Sequence, residues 1–368
     1  MKLFPFKASF PNMELIAAPD IFFDTVSKEY INYRDAGFFS QSDKKALYIY
    51  RIDGNQSYTG IIGSNEITDI EDGKILGHEN TIAEKEQTML SLMMTRKAMI
   101  KPVLLAYEGQ DTIQKFVTDY ISKYQPLYQI PMSESSEIHS VWAVTEESKI
   151  ETLQQLFREN IDKAYIADGH HRASITSRLV RKNYLQDHDD DKHPGLLCAF
   201  FPFSELTIYD FSRIIVFSHK MTDLTLMAGL SRYFDIQKIH QIEKPKVKNQ
   251  LTVILQNECF VLHWKKEVLS TSDNRQVILD VDLFNQKIIN ELLGIQDIRT
   301  ANEITYLEGI VGIDRLASLA KYPGTAVFNF FPLSFTDVKR ISDSVGVLPP
   351  KSTWFEPRMK NGILIKEF

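Results

Sequence analysis

The stretch YIADGHHRA, residues 165–173, predicts a buried strand, a tight turn and the start of a helix. The apolar residues Tyr165–Ala167 form the strand, and Asp168-Gly169 is a turn signal because glycine tolerates a positive φ. We expect the helix to continue to about Tyr184. The rest of the predicted fold is built outward from this strand–turn–helix unit.

Basic side chains occupy the first turn of this predicted helix, although the helix dipole favours negative charge there. A bound anion would resolve the conflict, because an arginine and the free backbone N–H groups of a helix N-terminus form a phosphate-binding arrangement. We therefore predict that Gly169, His170, His171 and Arg172 bind phosphate. The alternative is that they are solvated polar residues at an ordinary helix start.

The composition is that of a globular protein. Of the 368 residues, 43 % are hydrophobic and 24 % are charged, which suggests two or three domains with ample core. The net charge of −6 argues against a protein whose main task is to bind nucleic acid. The longest apolar run, Gly195–Phe203, is about half the length that a membrane span needs. We therefore expect no membrane partner.

Two cysteines, Cys198 and Cys259, lie in apolar runs and are expected to be buried thiols. No Cys-x-x-Cys pair is present, so the sequence offers no thiol-rich zinc site, and a cytoplasmic location fits. The acidic run Asp187–Asp191 indicates a solvated loop.

The order of predicted elements indicates an α/β layered fold. Leu15–Ala18 is expected to form a strand, and Ala46–Ile52 with Ser57–Ser64 a hairpin. Thr81 and Glu84 fit a capping box, which predicts a helix from Thr81 to about Lys97. Further strands and helices follow to the end of the chain. The inward face of the capped helix is expected to contain Ile82, Met89, Leu92 and Met93.

Two further segments carry candidate site residues. His78 and Glu79 fall on a loop just ahead of the capped helix, where a reacting carboxylate is often presented; alternatively, Glu79 only supports the helix dipole. Near the end, LPPKSTWFEPR (348–358) is either an irregular loop or a pocket wall that binds a substrate carboxylate or phosphate.

Four motifs together resemble the domain-of-unknown-function 1015 family. They are GIIG at Gly60–Gly63, HENT at His78–Thr81 with Lys85-Glu86, YIADGHHR at Tyr165–Arg172, and PPKSTWF at Pro349–Phe355. The resemblance spans almost the whole chain. This sequence departs from the family pattern near its start, where the family's Ala-Pro-Pro-Tyr-Asp run is replaced by Ala18-Pro19-Asp20-Ile21.

That family in turn resembles the ParB/sulfiredoxin-like fold and the free-serine kinases, which use ADP or ATP. The resemblance implies that Glu79 is the general base, with Asp168 and His171 as further catalytic groups. It implies that Asp168 binds Mg²⁺ and that the nucleotide phosphates bind at residues 169–172. A cysteine that sulfiredoxin chemistry needs is replaced by His170, which argues against that activity. Candidate substrate-binding residues are His78, Lys351, Ser352, Thr353 and Arg358.

We therefore predict a ParB/sulfiredoxin-like nucleotide-binding core over residues 1–184. A mixed α/β region follows over 185–295, and a C-terminal segment over 296–368 packs back on the core. The predicted activity is phosphoryl transfer from ATP or ADP to a small hydroxylated metabolite, such as free L-serine, by a protein that could form a homodimer. Two alternatives stay open: a nucleotide-binding or hydrolysing regulator, and a hydrolase whose metal centre is formed by His78, Glu79, Asp168, His170 and His171.

Overall fold

The computed structural model describes residues 1–81, 83–182, 195–217, 221–270, 278–298 and 301–368. Ile82, the predicted helix end at Tyr184 and the predicted acidic loop Asp187–Asp191 lie outside the described residues. The chain forms two compact units: Met1–Thr207 together with Pro357–Phe368, and Ile208–Glu356. The division predicted at 184 and 295 stays a prediction, since its first boundary also falls outside the described residues.

The first unit is built on a mixed β-sheet. Its strands are β1 (Leu3–Phe4), β2 (Ser9–Pro11), β3 (Phe39–Gln41), β4 (Leu47–Asp53), β5 (Ser57–Glu66), β6 (Ile75–Leu76), β7 (Ala98–Met99), β8 (Val103–Tyr107), β9 (Tyr128–Pro131), β10 (Ile138–Val144), β11 (Ala164–Asp168) and β12 (Gly195–Pro202), with β21 (Lys366–Glu367) near the end of the chain. Among the described residues, nine of these strands form one sheet in the order β6-β11-β8-β12-β5-β4-β10-β9, with β1 against β5. The predicted hairpin is confirmed by the antiparallel pairing of β4 with β5.

Helices complete the first unit. They are α1 (Pro19–Asp35), α2 (Thr68–Glu71), α3 (Ala83–Arg96), α4 (Asp111–Lys123), α5 (Glu147–Asn160) and α6 (His170–Arg181). The core that they cover is aliphatic and aromatic, and it includes Leu105, Leu153, Phe157, Ile166 and Phe200. The central strands are buried on both faces, as their nearly continuous apolar sequences indicate.

The prediction of a strand at Leu15–Ala18 is wrong. Helix α1 begins directly after this segment, with Pro19 in its first turn and Asp20 beside it. Proline fixes φ near the helical value and lacks an N–H that the first turn would leave unsatisfied, while the aspartate favours the positive end of the helix dipole. Pro19-Asp20 is therefore a helix start rather than the turn that ends a strand.

Helix α3 exposes part of the face that was predicted to be inward. Met93 is buried, whereas Leu92 keeps 43 % of its surface exposed. Adjacent residues on a helix point about 100° apart, so their side chains can differ strongly in exposure. The prediction for Leu92 as a core residue is therefore wrong.

The second unit has an antiparallel sheet of six strands among the described residues, in the order β15-β17-β16-β19-β14-β18. The strands are β13 (Thr207–Tyr209), β14 (Phe211–Val216), β15 (Phe234–Ile239), β16 (Gln250–Leu255), β17 (Glu258–Trp264), β18 (Ile304–Glu308), β19 (Thr325–Phe330) and β20 (Trp354–Glu356). The helices are α7 (Asp223–Leu230), α8 (Lys266–Ser270), α9 (Asp280–Phe284), continued by a π-helical segment Asn285–Leu292, α10 (Ile313–Leu319) and α11 (Phe335–Asp343). Together the two units confirm the predicted α/β class.

In the part of the chain that the structure describes, no helix has both the length and the apolar character needed to span a bilayer.

Candidate functional site

The strand–turn–helix unit predicted from YIADGHHRA is present. Strand β11 ends at Asp168, Gly169 adopts φ = +104°, and α6 begins at His170. The register of β11 against β8 shifts between Ile166 and Asp168, which marks a β-bulge just before the turn. Bulges redirect side chains at the ends of strands. The first turn of α6 therefore begins two residues after Asp168.

Three cations surround this carboxylate. Arg172 Nη2 lies 2.9 Å from Asp168 Oδ2, Arg358 Nη1 lies 2.9 Å from Oδ1, and Lys101 Nζ lies 3.5 Å from Oδ2. Burial alone would raise the pKa of Asp168, but the charges of Arg172, Lys101 and Arg358 outweigh it and hold that pKa well below its usual range. Asp168 is therefore ionised at any physiological pH.

This cation cluster, defined as Lys101, Arg172 and Arg358 around Asp168, carries more positive than negative charge. Three cations face one carboxylate, and the N-terminus of α6 adds its partial positive charge to theirs. Burial lowers the pKa of Lys101, and the neighbouring carboxylate opposes this. An arrangement with this surplus of positive charge at a helix N-terminus fits an anion such as phosphate.

Residue 169 must be a glycine for two reasons, its positive φ and the closeness of the Arg172 side chain. A Cβ at this position would lie 2.6 to 3.0 Å from the Arg172 guanidinium, which folds back over the turn towards Asp168. We expect Gly169→Ala to lower the free energy of unfolding by about 2–4 kcal/mol, because positive φ and steric overlap both act against the alanine. Urea unfolding measures the change.

Gly37→Ala is the matched control for this substitution. Gly37 also has a positive φ, of +80°, but a Cβ there would meet nothing within 4 Å. Its alanine variant should lose only roughly 1–2 kcal/mol. Equal losses in the two variants would show that Arg172 does not occupy the space over Gly169.

Of the two adjacent histidines, His170 points inward. Its Nε2 accepts a hydrogen bond from the backbone N–H of His78 at 3.2 Å, so the ring proton lies on Nδ1. That nitrogen is 3.4 Å from Glu79 Oε2, and the His78 ring stands edge-on to the His170 ring with 4.7 Å between centroids. The structure thus brings together the predicted residues Glu79, His78 and His170, while His171 is half-buried in the first turn of α6.

Burial keeps both inward histidines neutral. It lowers the pKa of His170 to about 3, with His78 adding to the effect, and the pKa of His78 to about 4. An imidazole in the unfolded chain takes up its proton near about pH 6.5. Between these values the unfolded chain binds more protons than the folded protein. The free energy of unfolding therefore falls as the pH is lowered below about 6.5.

We expect each of these histidines to contribute about 1.4 kcal/mol per pH unit to this slope. Urea unfolding of the wild type and of His170→Gln between about pH 7 and about pH 5 measures it. The variant should show the shallower slope, and exposed His263→Gln is the control that should keep the wild-type slope. Equal slopes for His170→Gln and the wild type would contradict a neutral His170 in the fold.

Glu86, from the predicted HENT–Lys-Glu motif, joins α3 to α6. Its carboxylate accepts hydrogen bonds from Ser174 Oγ at 2.6 Å and from Arg178 Nη1 at 3.3 Å. The Ser174 hydrogen bond lowers the pKa of Glu86. Because these contacts lie one turn and two turns along α6, Glu86 fixes the helix whose N-terminus carries the candidate site.

Lys101 is a residue of the cluster that the sequence patterns did not single out. Strand β8 runs antiparallel to β11, and Leu104 faces Asp168 in the register. Lys101 therefore lies at the end of the sheet where β11 delivers Asp168. The signal in the sequence was a lysine two residues before a buried apolar strand, and it becomes informative once the strand pairing is known.

The predicted residues of the PPKSTWF segment belong to the second unit. The Lys351 ammonium lies 4.9 Å from the centroid of the Phe211 ring, and Ser352 donates a hydrogen bond to the Pro349 carbonyl at 2.6 Å. Thr353 is buried. Arg358, in contrast, belongs to the first unit and contacts Asp168. Substrate binding by Lys351, Ser352 and Thr353 stays a prediction.

The surroundings of Asp168 do not fit a resident Mg²⁺. Both of its oxygens already contact cations, which would repel a divalent ion. Over the described residues, no three His, Cys, Asp or Glu side chains are grouped so that they could hold a metal. The alternative of a metal centre formed by residues 78, 79, 168, 170 and 171 therefore gains no support from the geometry.

Comparison with solved structures gives distant similarities. A C-terminally truncated SbnI from Staphylococcus aureus matches at 11 % identity with a TM-score of 0.42, over 82 % of this chain and 85 % of that one. A mutant free serine kinase in complex with ADP matches at 10 % identity with a TM-score of 0.40, over 85 % and 95 %. A conserved hypothetical protein from Pyrococcus furiosus matches at 13 % with a TM-score of 0.37, over 83 % and 94 %. At these scores the similarities carry no argument about function, and the ParB/sulfiredoxin-like fold stays a prediction.

Comparison with protein sequences is more informative about the family. No curated protein matches this chain significantly. The family described as protein of unknown function DUF1015 matches residues 10–284, which is more than half of the chain and includes the HENT and YIADGHHR motifs. The chain therefore belongs to the DUF1015 family.

Proposed function

We propose that this protein is a nucleotide-dependent phosphotransferase that acts on a small hydroxylated metabolite. The observation that carries the proposal is the cation cluster at the N-terminus of α6, with the Glu79 carboxylate held beside the same helix start by His170. Phosphoryl transfer requires little more than neutralised phosphate charge and an aligned nucleophile. The cluster would supply the first requirement, and Glu79 would help with the second.

The cluster would bind the phosphates of ATP or ADP through Arg172, Arg358 and Lys101. All three contact Asp168, which holds them close together. Guanidinium groups suit this role because their paired N–H donors match phosphate oxygens. Mg²⁺, in this proposal, arrives with the nucleotide as part of the substrate.

Glu79 would act as the general base. Its carboxylate is 39 % exposed, so it could reach a bound acceptor, and one of its oxygens lies 3.4 Å from His170 Nδ1. In the reaction, Glu79 takes the proton of the acceptor hydroxyl and the oxygen forms a bond to the terminal phosphorus. The bond from that phosphorus to the bridging oxygen breaks, and its electron pair stays on the nucleotide, which leaves one phosphate shorter.

His170 is a positioning residue in this scheme. Its ring is neutral, because burial lowers its pKa, and with the proton on Nδ1 it could donate to Glu79. Its Nε2 is occupied by the N–H of His78, which fixes the ring orientation. A histidine that orients a catalytic group through its second nitrogen is a common arrangement.

The proposal is tested by calorimetric titration with ATP and ADP in the presence of Mg²⁺, followed by a phosphorus-NMR screen of hydroxylated metabolites that includes free L-serine. We expect one nucleotide to bind and to be consumed only when an acceptor is added. Nucleotide hydrolysis that no acceptor changes would favour the regulatory alternative instead. Absence of binding by both nucleotides would overturn the proposal. A homodimer and a cytoplasmic location stay predictions.

A further inference from the structure

A cavity of about 510 Å³ opens next to the cation cluster, within the first unit. Its volume falls in the range of small-molecule sites, roughly 300–1,000 Å³. Its walls are mainly apolar and are contributed by α1, α3, the segment from β7 to β8, α6 and β12, with Asn361. Three methionines line it, Met89, Met93 and Met99, together with Leu92, Leu196 and Leu197. Met89 and Met93, which were predicted to lie on the inward face of α3, therefore face a ligand-sized space.

The cavity and the cation cluster share a wall. Lys101 and Arg172 line the cavity, and the same two side chains contact Asp168. An anion held by the cluster would therefore lie at the edge of the cavity. A ligand that fills both places must carry a charged end and an apolar or aromatic end.

Two buried polar atoms in the cavity wall have no hydrogen-bond partner among the described residues. Thr176 is fully buried, and its Oγ1 has no hydrogen-bond partner among the described residues. The same holds, over these residues, for the buried Nε of Arg172. Buried polar groups are nearly always hydrogen-bonded, and each exception needs an explanation. Both residues line the cavity, so a polar atom of a bound ligand would satisfy them.

We propose that this cavity binds the nucleoside of the phosphate donor, with the base between the methionines and the sugar towards Thr176. The inference rests on the proposed function, because the cation cluster must hold the phosphates of the same molecule. Methionine sulfurs pack favourably against aromatic rings, which suits a planar base better than an aliphatic acceptor. The remaining apolar walls exclude water from its faces.

The placement also separates donor from acceptor. Within the described residues, the cavity lining contains neither Glu79 nor His170. Both sets of side chains nevertheless meet at the first turns of α6, which contributes Arg172 and Thr176 to the cavity and His170 to the Glu79 contact. The nucleoside would enter from the cavity side of the helix start, and the hydroxyl acceptor would approach from the Glu79 side.

The test compares ATP with inorganic tripolyphosphate, by calorimetry, on the wild type and two variants. Leu92→Gln places a polar group at the cavity wall, and Met94→Gln is its matched control, because Met94 is similarly exposed on α3 but does not line the cavity. We expect the wild type to bind ATP at least about tenfold more tightly than tripolyphosphate. Leu92→Gln should lose roughly five- to tenfold in ATP affinity, as for a lost apolar contact, and nothing in tripolyphosphate affinity.

A second variant tests the same cavity in case Leu92→Gln disturbs the local structure. Thr176→Val keeps the size of the side chain and removes the hydroxyl, and it should weaken ATP binding by roughly three- to tenfold while leaving tripolyphosphate unaffected. If ATP binds no better than tripolyphosphate, or if both variants bind ATP like Met94→Gln, the cavity does not hold the nucleoside and the proposed function stands. If the wild type binds neither ATP nor ADP nor tripolyphosphate, the proposed function fails and this inference fails with it.

Discussion

Arg172→Ala should weaken the binding of ATP or ADP by about 1.5–3 kcal/mol, which is roughly 10- to 150-fold in Kd. The guanidinium sits in the first turn of α6, 2.9 Å from Asp168 and within the cluster that also includes Lys101 and Arg358. Its removal takes away one positive charge and the paired donors that match a phosphate. Calorimetric titration in the presence of Mg²⁺ measures the loss.

Arg178→Ala is the matched control on the same helix. Arg178 lies nearly two turns further along α6, is 40 % exposed and contacts Glu86 rather than Asp168. Its removal changes the net charge by the same amount without touching the cluster. Similar losses in the two variants would mean that overall charge, not the cluster, governs nucleotide affinity. If Arg172→Ala leaves the nucleotide affinity unchanged, the phosphates do not bind at the start of α6.

Glu79→Gln should lower kcat for acceptor phosphorylation by about 10²- to 10⁴-fold, the usual contribution of a general base. The amide cannot accept the hydroxyl proton, although it keeps the size of the side chain and can still contact His170 Nδ1. The affinity for nucleotide should change by less than about twofold, because the cation cluster does not include Glu79. Steady-state kinetics with the acceptor found by the NMR screen, together with calorimetry, separate the two effects.

The control for this variant is Glu84→Gln, which neutralises an exposed carboxylate in the first turn of α3. It should leave kcat unchanged. His170→Gln tests the positioning role of this histidine. It should lower kcat less than Glu79→Gln does. It should also shift the pH dependence of kcat, because the Glu79 carboxylate would no longer be oriented by the His170 ring. Normal turnover by Glu79→Gln would show that another group takes the proton, and the assignment of Glu79 would then be wrong.

Local rules were enough to predict several parts of the fold. The segment from Tyr165 to Arg172 forms a strand, a turn at a positive-φ glycine and a helix, because apolar runs, Asp-Gly and helix-forming residues each act over a few positions. The hairpin of β4 and β5 followed for the same reason, since a short turn joins two alternating strands. The resemblance to the DUF1015 family also rested on motifs that are themselves local.

What the sequence by itself determined is therefore the presence of a basic helix start after a buried strand. Only the tertiary structure decided which side chains meet there. Lys101 reaches Asp168 because β8 runs antiparallel to β11, and Arg358 because the chain returns to the first unit at residue 357. The choice of His170 over His171 as the inward ring, and of Met93 over Leu92, depends on how α6 and α3 pack. These outcomes depend on strand order and helix rotation, which are fixed by burial of the whole core rather than by any short stretch of residues.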